Sequence, residues 1–339
     1  MRRYGTVLAV GISLLALLAA ACSDVEEPEG GGGGGGGTPP ANANVAQCGD
    51  DTIVLAVNPW IGAKANAAVA QVVMEQQMGC TVELEDPINE KAQFPAMADG
   101  DVDATLEVWP SGHADDYAQF IEEAGTVVDG GLLGITGNIG WFVPSYVVEQ
   151  NPQFATVDGF KENADIFATA DTGDKGRFLG ADTTYSIFDE QIIAALGLDL
   201  EVVYSGSEDA SLSALDTAVA NEEPILMYWW TPQWANAKYD LVEVKLPAFT
   251  DECADIALND PEAVGYNCDY ADDVLYKAFS AQLEGKDPAA FEFLSNFEWT
   301  EEDQNSVALA IQEGAEPEEA AQEWVDANQD VWQAWLPPA

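Results

Sequence analysis

Thr52-Ile53-Val54-Leu55-Ala56-Val57 is an apolar run of strand length. Asn58-Pro59 breaks it, and Ala63 to Met78 follows with helical composition and periodicity. Thr81 to Leu84 is the next strand and Ala92 to Asp99 a helix, after which Gly100-Asp101 turns the chain into a third strand, Ala104 to Val108. Strand, helix, strand, helix, strand is the pattern of an α/β unit built on a largely parallel sheet. Working outward, Asp115 to Ala124 reads as a helix and Gly140 to Val148 as a strand. From Pro152 to about Asp240 the pattern begins again. It runs through a helical stretch at Val157 to Asn163, a strand at Gly176 to Leu179, a helix from Ile187 to Leu196 and a strand at Val202 to Tyr204. A helix from Ser211 to Asn221 and an apolar strand from Pro224 to Trp230 complete it. Leu241 to Ala339 holds strand-like Val242 to Leu246 and then several helices. Two repeats of one pattern plus a long helical tail give two lobes, with the tail completing the first: 47–141 and 245–339 form one, 142–244 the other. Crossings near Gly140 to Phe142 and Val242 to Lys245 are the expected hinge. In such folds ligands sit beyond the carboxyl ends of the strands, between the lobes.

The chain has 339 residues, 60 of them Asp or Glu against 11 Lys or Arg, a net charge of −49. A phosphate backbone or an anionic lipid face repels such a chain, which argues against a nucleic-acid partner. At 47% hydrophobic and 10% aromatic it has ample material for a core and is not a disordered acidic protein.

Residues 1–21 read as an export signal. Arg2 and Arg3 precede an apolar run, Val7 to Ala21, that is short for a membrane span, and Ala19-Ala20-Ala21 leads into Cys22. Small residues before a cysteine resemble the cleavage box of bacterial lipoproteins, which makes Cys22 the expected lipidated N-terminus; ordinary secretion with a spare cysteine is the alternative. Residues 22–46, with eight consecutive glycines from Gly30 to Gly37, form a flexible tether. The expected location is extracytoplasmic, anchored to the cell membrane by lipid. Without the signal the chain keeps eight lysines and Arg177 against all 60 acids, a charge of −51. We take that excess as a hypothesis of life in high salt, where screening shortens self-repulsion to a few Å. Of the four remaining cysteines three pairings are possible. The local one, Cys48 with Cys80 and Cys253 with Cys268, is preferred because each pair brackets a plausible unit. No Cys-x-x-Cys occurs and there is one histidine, so neither a metal site nor a cofactor is expected.

Three strand ends carry aromatic residues beside turns. Ala104 to Val108 runs into Trp109-Pro110-Ser111-Gly112-His113. Phe178-Leu179 leads through Gly180 to Tyr185, and Pro224 to Met227 ends in Tyr228-Trp229-Trp230-Thr231-Pro232-Gln233-Trp234. One tryptophan at a sheet edge is ordinary core capping; three strand ends alike point to a lined cleft. Quaternary ammonium groups have no N–H to donate, so they are recognised by ring faces, each contributing about 0.5 to 2 kcal/mol. Sugars also stack on tryptophan, and a carbohydrate-binding receptor is the rival reading.

The motifs Ala98-Asp99-Gly100-Asp101-Val102-Asp103-Ala104, Glu107-Val108-Trp109-Pro110 with His113, and Pro224 to Trp234 resemble the glycine betaine/proline betaine/choline substrate-binding proteins of ABC importers. So does the tail Glu323-Trp324-Val325 and Val331 to Leu336. The resemblance spans most of the chain. It implies a two-lobed periplasmic-binding-protein-like fold of type II, a small zwitterionic or cationic ligand, and an ABC importer permease as partner. It also implies an aromatic box of Trp109, Tyr185 and Trp230, with Tyr185 standing where the family often has Trp. His113 and the backbone N–H groups of Ser186 and Ile187, opening the next helix, are the implied carboxylate partners. Trp60, Tyr228 and Trp229 are secondary candidates; Trp60 and Trp141 also fit core or hinge packing. Amino-acid receptors commonly clamp a carboxylate with Arg, and only Arg177 is available. Enzyme readings lack support: there is no Gly-x-Ser-x-Gly and no second histidine, and acidic pairs such as Asp115-Asp116 arise by chance among 60 acids.

Overall fold

The computed structural model describes residues 44–253 and 267–339. The signal, Cys22 and residues 22–43 of the tether lie outside the described residues. The first repeat forms β1 (Thr52–Ala56), helix α1 (Ile61–Met78), β2 (Thr81–Glu85), the short helix Gln93–Asp99 and β3 (Ala104–Val108). The second forms β5 (Gly176–Gly180), the helix Asp189–Leu196, β6 (Leu200–Tyr204), the helix Glu208–Asn221 and β7 (Leu226–Thr231). In each repeat the first strand lies between the other two, and all three run parallel. Short β8 (Leu241–Glu243) pairs antiparallel with β4.

Two long strands join the repeats: β4 (Val127–Pro144) and β9 (Asp272–Ser280). The sheet order is β2-β1-β3-β9-β4-β7-β5-β6. β4 pairs with β9 from Val127 to Asn138 and with β7 from Asn138 to Phe142, so one strand serves both parallel units. The sequence reading anticipates neither its start nor β9. Glycines 130, 131, 134 and 137 dilute the strand signal of β4, yet close approach requires two of them. A Cβ on Gly130 would stand 2.4 Å from the Phe279 ring, and one on Gly137 2.2 Å from the Trp109 ring. In β9 the apolar alternation is hidden by Asp273 and Lys277, both buried. Lys277 Nζ donates to the carbonyls of Ser295 and Phe297 at 2.8 and 2.5 Å, where the helix Pro288–Asn296 ends. Burial pushes its pKa down to about 8. The expected strand through Val148 stops at Pro144, and Ser145–Gln150 is helical. Pro144 has no N–H for the ladder, and Ser145 N donates to Asp240 O instead.

α1 is buried on nearly every side, which its small residues allow: Ala63, Ala65, Ala67, Ala68 and Ala70 are all inside. The C-terminal helices Glu301–Gln312 and Pro317–Ala327 pack on it, and Trp324 stacks on Trp335 at 5.9 Å with their planes 8° apart. The tail therefore completes the first repeat. Gly79, at φ 67°, ends α1 in the left-handed conformation. Disulfides join Cys48 to Cys80 and Cys253 to Cys268, the local pairing.

Candidate ligand-binding site

β1, β3 and β5 end at one rim of the sheet, and each runs into a loop that carries an aromatic side chain: Trp60, Trp109 and Tyr185. β7 adds Tyr228 and Trp230 from within the strand, and Tyr270, Phe188 and Ile139 close the ring. These side chains, with Ile187, Glu90, Ser111 and Gly112, line one cavity. Among the described residues twelve line it, of which seven are aromatic and none is Lys, Arg or His. Tyr185 stands among the rings, 5.8 Å from Trp60, 6.0 Å from Tyr228 and 6.2 Å from Trp230 between centroids. The near-perpendicular planes of the first and last pairs leave ring faces free to surround a cation.

Strand alternation separates neighbours on β7. Tyr228 and Trp230 face the cavity; Trp229, between them, is fully buried on the other side with its Nε1 donating to Asn236 Oδ1 at 2.9 Å. Trp229 is thus a core residue, and the period of two held that information. Trp141 likewise packs inside, 4.6 Å from Phe178, its Nε1 bonded to Asp189.

Two buried carboxylates fix the rings. Glu107, on β3, accepts the indole N–H of Trp60 at 2.7 Å and of Trp109 at 2.9 Å on Oε1. Its Oε2 accepts from Asn66 at 2.6 Å and Gln304 at 2.9 Å. Burial pushes its pKa up, and the four donors pull the other way. A carboxylate met by four N–H groups is shaped as an acceptor, not as an acid. On the second side Asp189 accepts from the Tyr270 hydroxyl at 2.6 Å, Trp141 Nε1 at 2.8 Å and Ser186 Oγ at 2.6 Å. Glu208 accepts from Ile61 N at 2.8 Å and from Gln233, and burial raises its pKa to about 7. Among the described lining residues Glu90 is the one acidic side chain and none is cationic, a balance that in a low-dielectric setting favours a positive ligand.

The implied carboxylate partners lie otherwise. His113 is buried behind the wall, with Nδ1 2.8 Å from Asp116 Oδ2 and Nε2 3.0 Å from Glu90 Oε1. The two carboxylates raise its pKa against the opposing effect of burial, which is the largest single influence. The carboxylate at its ring is Glu90's own. Ser186 is buried and its N–H donates to Asp182 O at 2.9 Å, so that amide is committed. The helix begins at Asp189 rather than Ile187, which leaves both residues in the preceding turn. Ile187 does line the cavity. Glu90, Ile139, Phe188 and Tyr270 escape the sequence reading, since none sits in an aromatic strand-end motif. A sugar reading finds little here: among the described residues no Asn, Gln or Arg lines the cavity, and Glu90 is the one carboxylate in its lining.

Comparison with known proteins agrees with this chemistry. Residues 51–327 match the family model described as the substrate-binding domain of ABC-type glycine betaine transport systems. The glycine betaine/carnitine transport binding protein GbuC of Listeria monocytogenes is 32% identical over 131 residues, 39% of this chain; the match spans 38% of that relative's length. Among solved structures, the glycine betaine/L-proline-binding protein ProX of Borrelia burgdorferi superposes with a TM-score of 0.67 at 23% identity, covering 85% of this chain and 97% of that one. The lactococcal OpuAC complexed with glycine betaine gives 0.64 at 22%, covering 84% and 99%. At such identities the structural likeness speaks for the fold, which is that of a two-lobed α/β binding protein, while the family match covers most of the chain. The chain belongs to the family of substrate-binding domains of ABC-type glycine betaine transport systems.

Proposed function

We propose that this protein captures glycine betaine or a related quaternary ammonium solute and hands it to an ABC importer. The observation that carries the reading is the cavity itself, lined among the described residues by seven aromatic side chains and one carboxylate, with no cationic residue. Trp109, Tyr185 and Trp230 form the ammonium box, joined by Trp60 and Tyr228. The lobes are 47–141 with 245–339, and 142–244. They close about β4 and the end of β8, where Phe142 pairs with Glu243. Export with a lipid on Cys22 and a glycine tether would hold the protein at the membrane surface near its permease. No helix among the described residues is long and apolar enough to cross a membrane.

Calorimetric titration of the purified protein with glycine betaine and choline tests the ligand class. Micromolar binding of at least one, weakened tenfold or more in both Trp109→Ala and Trp230→Ala, is the expected result. Near-wild-type affinity in both variants would refute the box. For the anchor, metabolic labelling with palmitate is expected to mark the wild type and not Cys22→Ser; equal labelling would remove the lipoprotein reading.

A further inference from the structure

Two polar atoms in the cavity wall have no hydrogen-bond partner among the described residues: Glu90 Oε2 and the hydroxyl of Tyr185. Both are buried, and a buried polar atom left unpaired costs about 1–3 kcal/mol. Everything else about Glu90 is held. It opens the short helix Glu90–Ala92, its Oε1 meets His113 Nε2 at 3.0 Å, and His113 is backed by Asp116. Gln93 lies 3.1 Å from the same ring nitrogen. Asp116, His113 and Glu90 form a hydrogen-bonded line, and Glu90 lines the cavity with its second carboxylate oxygen unpartnered.

We infer that Glu90 and the Tyr185 hydroxyl read the polar end of the ligand, so that the cavity prefers a quaternary ammonium alcohol of the choline type to a quaternary ammonium carboxylate of the betaine type. This rests on the quaternary-amine reading above and narrows it. A ligand hydroxyl donates one hydrogen bond and accepts others, so it can donate to Glu90 Oε2 and accept from Tyr185. A ligand carboxylate only accepts. It would answer Tyr185 but bring a second negative charge against Glu90, in a site whose low dielectric strengthens the repulsion. The positive end gains in either case, because the Glu90 charge adds to the attraction of the rings. His113 then acts as a positioning residue, and Glu90 as the residue that selects.

The test titrates wild type, Glu90→Gln and Tyr185→Phe with choline, glycine betaine and tetramethylammonium, the last having no polar end. Wild type is expected to bind choline at least tenfold more tightly than glycine betaine. In Glu90→Gln, which keeps the shape and can donate to a carboxylate, that ratio is expected to fall at least tenfold. Tyr185→Phe is expected to weaken choline at least fivefold more than it weakens tetramethylammonium, and it stands as the second reading should Glu90→Gln fail to fold. Wild-type preference for glycine betaine, an unchanged ratio in Glu90→Gln, or equal losses in Tyr185→Phe would overturn the assignment while leaving the aromatic cavity intact. Failure of all three ligands to bind wild type would instead sink the quaternary-amine reading.

Discussion

Gly137→Ala should damage ligand binding without replacing a lining residue. The six-membered ring of Trp109 lies so close to Gly137 that an added Cβ would stand 2.2 Å from Cζ3, 2.5 Å from Cη2 and 3.0 Å from Cε3. Carbon pairs settle at about 3.5–4.0 Å, so the ring must retreat by more than about 1 Å. It cannot do so freely, because its Nε1 is held 2.9 Å from Glu107 Oε1 and the same oxygen holds Trp60. Either the hydrogen bond stretches or two walls shift together. Losing one well-placed ring face removes about 0.5–2 kcal/mol of cation attraction, a twofold to thirtyfold rise in Kd. Overpacking should lower stability by about 1–3 kcal/mol as well. Gly285→Ala is the control, since an added Cβ there meets nothing within 4 Å. Calorimetry for affinity and urea unfolding for stability would measure both effects. Wild-type affinity and stability in Gly137→Ala would refute the reasoning that β4 seats this wall.

The Glu208 carboxyl carries a pH dependence. Its pKa rises from 4.5 to about 7 by burial, so the folded state keeps a proton that the unfolded chain has released. The stability it contributes is therefore full below about pH 4.5, falls as pH climbs to about 7 and is flat above, a span of about 3 kcal/mol. Urea unfolding of wild type and Glu208→Gln from pH 4 to 8 should show the difference between them changing over that window; a constant difference would refute it. The acid excess predicts a salt response: thermal unfolding should shift upward from low to molar salt, most steeply at the low end. An unchanged Tm across the series would remove the argument for a saline habitat.

Local pattern was enough for the two parallel units, because a strand or an amphipathic helix announces itself within a few residues of its own sequence. The aromatic strand ends were legible for the same reason: Trp109, Tyr185 and Trp230 stand beside turns that close apolar runs, and the structure brings all three to one cavity. Trp229 was separable from Trp230 by alternation alone. Other features depend on residues far apart in the chain. Glu107 joins Trp60, Asn66, Trp109 and Gln304, and only packing of the C-terminal helix Glu301–Gln312 on α1 delivers the last of these. Tyr270 reaches the cavity from beyond the 253–268 disulfide, bound to Asp189. The first part of β4 and the whole of β9 were hidden because glycine, Asp273 and Lys277 stand where apolar residues would mark a strand. Those choices make sense only against Trp109, Phe279, Ser111 and the end of the helix Pro288–Asn296. His113 shows the limit most clearly. Sequence placed it four residues after Trp109, but whether its ring faced a ligand or a carboxylate of its own chain depended on where Glu90 and Asp116 came to lie. Residue type and short-range spacing determine which elements form and which chemistry is on offer. The partners of a buried polar group are decided by long-range packing, because only the assembled interior removes the water that would otherwise satisfy it.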